Sequence, residues 1–126
     1  VLLLFSVKPH YAAAIFEGRK VFEYRRSPPR RYLPGVALIY ETLPVSAVTG
    51  AVKVEEPFSL QANDIAELEP DIAAYLAGAR APCAIPILVA KRFGTPIPFR
   101  ALLARGVRAP QSWTYVATDF LPPGLF

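Results

Sequence analysis

The sequence predicts an α+β fold: a small mixed β-barrel, or a sheet bent towards one, with helices inserted between its strands. Three observations predict it. Short runs of apolar and β-branched residues, each of strand length, make up most of the chain. Helical patterning is confined to three stretches between those runs. Prolines and glycines break the chain between elements, with no repeat and no low-complexity segment. At 126 residues and 53% hydrophobic composition, the chain suits one domain (1–126) with a real core, and disorder is excluded.

Taken in order, "VLLLFSV" (1–7) is a continuous apolar run, suited to a central strand buried on both faces. It is stopped by Lys8-Pro9, is too short for a bilayer and has no basic region ahead of it, so it reads as a strand and not as a signal peptide. Pro9 opens a helix that places Tyr11, Ala12, Ile15 and Phe16 on one stripe, and Gly18 supplies the left-handed residue that ends it. "VFEYRR" (21–26) then alternates, with Phe22 and Tyr24 on a face that packs the barrel and Val21, Glu23 and Arg25 on the other. "SPPRRYLPG" (27–35) is a basic loop.

Strands follow at 36–43 and 47–56, where Gly50 marks a bulge or a close backbone approach. Ser59 is placed to cap "LQANDIAELE", Pro70 to open "DIAAYLAG" and Gly78 to close it. "CAIPILVAKRF" (83–93) is a strand with an edge or bulge at Pro86. "PIPFRALLARG" is a short helix opened by proline, "SWTYVA" a last strand, and "LPPGLF" a tail that packs or frays. The expected order is β-α-β-β-β-α-β-α-β.

Charge narrows the function classes. Lys and Arg number 14 against 10 acidic residues, a net +4. This permits a polyanionic partner without demanding one. Seven of the basic residues (Lys8, Arg19, Lys20, Arg25, Arg26, Arg30 and Arg31) fall in the first 31 positions, opposed there only by Glu17 and Glu23. One histidine and one cysteine, far apart, supply no zinc-type ligand set. Cys83 reads as a small buried hydrophobe in a reducing, cytoplasmic setting. No glycine-rich phosphate loop and no Gly-x-Ser-x-Gly elbow is present, and no run is long enough to span a membrane. No cofactor is implied.

The stretch "SVKPHYAAAIFEGRKVFEYRR" resembles the N-terminal signature of ASCH domains, the activating-signal-cointegrator homology branch of the PUA-like superfamily. Its hallmark, Gly-x-Lys-x-x-Glu-x-Arg, is met by Gly18, Lys20, Glu23 and Arg25. "ALIYETLPVSAVTGAVKVEE", "YLAGARAPCAIPILVAKRFGTPIPFRAL" and "APQSWTYV" resemble the family's later blocks, in order. The resemblance implies a PUA-like barrel with a cleft beside the hallmark strand. It also implies a partner that is RNA, single-stranded nucleic acid or a nucleobase-containing small ligand.

In that cleft Lys20 would offer a point charge, Arg25 a planar fork and Glu23 an acceptor for an exocyclic amine. The plainer alternative is a same-face ion pair at the barrel's end. Lys8 and Arg26 would add charge at the rim, Glu41 and Thr42 would face the cleft from the next strand, and Ser112, Trp113 and Tyr115 would close it. A stacked base on such an aromatic is typically worth about 1–3 kcal/mol. Some small ASCH members resemble amidohydrolases of N4-acylated cytidine or act on RNA. Their lysine corresponds to Lys20 and their acid to Glu55 or Glu56, but the threonine nucleophile's place is taken by Glu23. A metal-independent hydrolase using Lys20, Glu23 and Glu55 is therefore the alternative, with Thr42 or Ser112 as substitute hydroxyls.

Overall fold

The computed structural model describes residues 2–29 and 35–126. The expected basic loop falls mostly outside them, Arg30 and Arg31 included. The strands are β1 (Leu2–Val7), β2 (Phe22–Arg25), β3 (Gly35–Glu41), β4 (Ala47–Val54), β5 (Phe58–Ser59), β6 (Cys83–Pro98) and β7 (Trp113–Val116). The helices are α1 (Pro9–Phe16), α2 (Ala62–Ala66), α3 (Pro70–Leu76) and α4 (Phe99–Ala104). All the strands join one mixed sheet in the order β2-β6-β4-β3-β1-β7, with β5 added beside β6. Among the described residues only β1 and β3 pair in parallel, and the chain between them carries α1 and β2. The sheet curls into a half-barrel, as the α+β expectation required.

Two faces of the sheet are buried because β1 is apolar on both. Leu2 and Leu4 join Leu38, Val48 and Phe93 in a core closed by Leu102 of α4 and by Phe120. Leu3, Phe5 and Val7 join Ala37, Ile39, Val52 and Ile85 in a second core covered by Ala12 and Ile15 of α1. The C-terminal tail packs, as its apolar residues allow: Leu121 and Leu125 lie against the first core.

Several elements differ from the sequence reading. Ser59 is not a helix cap. It pairs with Cys83 as the end of β5, a two-residue strand that was not expected. Helix α2 starts after Gln61, whose N–H donates to the Asp64 carboxylate at 2.8 Å. Strand β6 continues through Pro96 to Pro98, so the prolines expected to open a helix lie on a strand and α4 begins at Phe99. Proline lacks a donor, but Pro98 stands opposite Ala47 at the end of the β4 ladder, where the missing N–H is tolerated. Phe22 and Tyr24 pack away from the two main cores, in a satellite cluster with Leu60, Leu76 and Ala84 beneath α2 and α3. The bulge expected near Pro86 sits next to it, where Lys53 and Val54 of β4 face Val89 and Ile87 and leave Leu88 out.

Candidate functional site

Alternation in β2 sends Glu23 and Arg25 to the face of Ile85, and both are buried. The reason is at the far end of the sheet. Arg25 Nη1 donates to Ser112 O at 3.0 Å and to Ser112 Oγ at 2.7 Å, and Nη2 to Ser6 O at 3.3 Å. Its guanidinium lies 4.7 Å from the centre of the Phe5 ring. Because β2 and β7 end the two sides of the strand order, these contacts mean that the sheet curls towards this face. Arg25 closes the seam with a side chain where no ladder does. We call this the concave face; Phe5, Trp113, Leu3 and Tyr115 share it by register.

Lys20, in the turn after α1, reaches the same face. Its Nζ donates to Glu23 Oε1 at 3.2 Å, with the two side chains only 13% and 9% exposed. The ammonium also sits 5.7 Å from the ring centres of Tyr11 and of Tyr24. Glu23 Oε2 is 3.7 Å from Arg25 Nη2. Glu23 Oε2 and Arg25 Nε are buried without a hydrogen bond among the described residues. An unsatisfied buried polar atom costs about 1–3 kcal/mol, more for a charged group, and the 3.7 Å approach of Arg25 Nη2 to Glu23 Oε2 offsets part of that cost.

Tyr11 donates its hydroxyl proton to the Asp71 carboxylate, tying α1 to α3. That bond, with burial and the neighbouring charges of Asp71, Glu69 and Glu23 behind it, pushes the phenol up to about 12. Burial raises the phenol of Tyr24, and Glu69 adds to it. The Cys83 thiol, beside Arg25 in register, is pushed up by burial, with the Arg25 backbone and charge opposing.

The other sequence-selected residues separate. Arg26 donates from Nη1 to the Tyr75 and Ala77 carbonyls (3.1 Å to the latter), closing the end of α3. Lys8 is exposed, and its carbonyl receives the first N–H groups of α1. Glu41 is buried and paired with other residues than Lys20: its Oε2 accepts from Thr49 Oγ1 at 2.5 Å and lies 3.6 Å from Arg92 Nη1. Half-buried Thr42 donates its N–H to Val7 O. Ser112 gives both oxygens to Arg25, and a guanidinium cannot take the proton that a serine nucleophile must lose. Trp113 and Tyr115 are half-buried in an edge-to-face pair 5.2 Å apart, packed on the core under α1. Glu55 is exposed, one residue beyond the end of β4.

Sequence reasoning missed Tyr11 as a wall of the site, having read it only as part of a helical stripe. It also missed Ser6, Thr49 and Arg92. The one signal for these was Gly50, where a Cβ would come 2.4 Å from Lys91 O and 2.5 Å from the Phe16 ring.

With that geometry in place, the ASCH domain model matches residues 5–95. The chain belongs to the ASCH domain family. The crystal structure of ASCH from Zymomonas mobilis is 26% identical, covers 93% of this chain and 88% of its own, and superposes with a TM-score of 0.79. A serine-to-alanine variant of the Zymomonas mobilis protein is 25% identical over 93% and 89%, with a TM-score of 0.80. A tyrosine-to-phenylalanine variant of it gives 24%, 93%, 91% and 0.79. No curated protein matches the chain significantly. The curled sheet with its helices is thus the PUA-like fold of an ASCH domain. Among the described residues no helix is long and apolar enough to cross a membrane.

Proposed function

We propose that this ASCH domain binds RNA, or another ligand carrying a nucleobase, on the concave face beside Lys20 and Glu23. The observation that carries the reading is the Lys20–Glu23 pair: a nearly buried ammonium and carboxylate 3.2 Å apart, with the Tyr11 and Tyr24 ring centres each 5.7 Å from the ammonium. Lys20 has three donors and gives one to Glu23, which leaves two for a ligand. Those donors complement a base edge that presents a ring nitrogen or carbonyl acceptor. The aromatic rings supply stacking surface that does not depend on base identity.

Arg25 serves this reading indirectly, by holding Ser112 and so fixing the seam beside the hallmark strand. The hydrolase alternative draws no support from the hydroxyls, since the Ser112 hydroxyl is bound to Arg25 and Thr42 carries no feature of a nucleophile.

Fluorescence anisotropy with short single-stranded RNA and DNA oligonucleotides tests the proposal, with RNA integrity checked after incubation. Lys20→Ala is expected to weaken binding at least about tenfold, the loss of one charge-assisted contact of ~1.5–3 kcal/mol, with an unchanged far-ultraviolet spectrum. Lys20→Gln keeps a donor beside Glu23 and should fall between. Equal affinity of all three proteins would refute the site, and cleaved RNA would replace binding with catalysis as the activity.

A further inference from the structure

Arg92 lies on the concave face, opposite Gly50 in the β4–β6 register, and is built unlike Arg25. The Arg25 side chain is 6% exposed and committed to closing the seam. That of Arg92 is 53% exposed, yet it is held firmly from behind. Its guanidinium lies 4.5 Å from the centre of the Phe16 ring, and its Nη1 is 3.6 Å from Glu41 Oε2.

Each support has a support of its own. The Glu41 carboxylate is buried and anchored by Thr49 Oγ1. Thr49 is the extra residue of a bulge, skipped between the pairs Ile39–Gly50 and Tyr40–Val48. Phe16 takes a place that only a glycine at position 50 leaves open. Phe16 and Glu41, backed by Gly50 and Thr49, thus orient one guanidinium, and among the described residues it makes no hydrogen bond. A merely solvated arginine needs no such frame. One already stacked and oriented has given up its rotamer freedom before a ligand arrives, and its planar fork matches an oxyanion.

We propose that Arg92 is a phosphate-recognition site for the backbone of a single-stranded nucleic acid, distinct from the Lys20–Glu23 pair. The proposal rests on the reading of the concave face as a nucleic-acid interface. Arg92 is seven residues along β6 from Ile85, which stands opposite Glu23. The separation is at most roughly 23 Å of extended strand. An oligonucleotide reaches both places, and a single nucleoside does not.

The test is anisotropy with a fluorescein-labelled single-stranded RNA about ten nucleotides long, titrated at several salt concentrations. Arg92→Gln is expected to weaken binding about tenfold at low salt. The plot of log affinity against log salt should become shallower by about 0.7, the share of one phosphate contact on a single strand. Arg92→Gln leaves Glu41 buried with one partner fewer, so the pair Glu41→Gln with Arg92→Gln removes both charges together and should show the same shallower slope. If the wild-type protein binds RNA and the double variant keeps its affinity and slope, the Arg92 site is overturned and the Lys20 reading stands. Weaker binding with an unchanged slope overturns it equally, because the loss is then one of packing. Absence of RNA binding by the wild type at every salt concentration overturns both readings.

Discussion

Tyr11 carries the sharpest residue-scale consequence. Its hydroxyl is bound to Asp71, and its pKa rises from the ordinary 10.0 to about 12. A raised folded-state value on an acid favours the protonated form. The bond therefore adds stability throughout the range below about pH 10 and loses it as pH climbs towards 12. At the acid end Asp71, lowered first by its bond with Tyr11, loses its contribution as pH falls through that lowered value. Ultraviolet titration of the phenols checks this: the wild type should retain a late-ionising tyrosine that Asp71→Ala brings back towards 10. A titration unaltered by the substitution would mean that Tyr11 and Asp71 are not joined in solution. At the same scale, neighbouring basic residues proved unlike. Arg25 is an interior brace and Arg26 a helix clamp, though both belong to one "RR" pair. Their contrast lies in the one-residue step of a strand, which reverses the face.

At the level of elements, β4 does the most specific work. Its bulge turns Thr49 onto Glu41, and its glycine admits Phe16 from α1. Gly50→Ala would bring a methyl group 2.4 Å from a backbone oxygen and 2.5 Å from a ring, contacts that cannot persist. We expect a loss of about 1–3 kcal/mol in chemical denaturation, in the range for overpacking. On the proposed reading of the concave face, RNA affinity should fall as well, since Phe16 is the platform under Arg92. An unaltered denaturation midpoint would mean that α1 is seated elsewhere. Gly50 was recognisable in the sequence as a bulge or close approach, but what approached it was not. The sixteen residues of β6 were harder still, because Pro96 and Pro98 near its end imitate the start of a helix.

For the whole molecule, the decisive feature is that the strand order does not close. The ends of the path, β2 and β7, are joined by Arg25 donating to Ser112 and Ser6. Arg25→Ala would leave the Glu23 carboxylate with Lys20 alone and release the segment ahead of β7. We expect a loss of about 3–5 kcal/mol, as for other broken buried pairs. Amide exchange should accelerate first in β2 and at Ser112–Trp113, before β3 and β4. Arg25→Lys should recover only part, since an ammonium does not present a planar fork to three acceptors. Uniform loss of protection across the sheet would show that the seam is not a separate unit.

By itself the sequence determined the fold class, most strand and helix positions and the family hallmark, because apolar periodicity and turn residues act over a few neighbours. It also singled out Lys20, Glu23 and Arg25 as a group. Tertiary structure alone decided which of them pair beside the tyrosine rings and which holds the sheet together. That depends on contacts between Arg25 and Ser112, 87 residues apart, and on the direction of curl that brings them within hydrogen-bond reach. Side chains of one type on adjacent positions look equal in a string of letters. Burial and partners separate them, and those follow from the closure of the whole sheet.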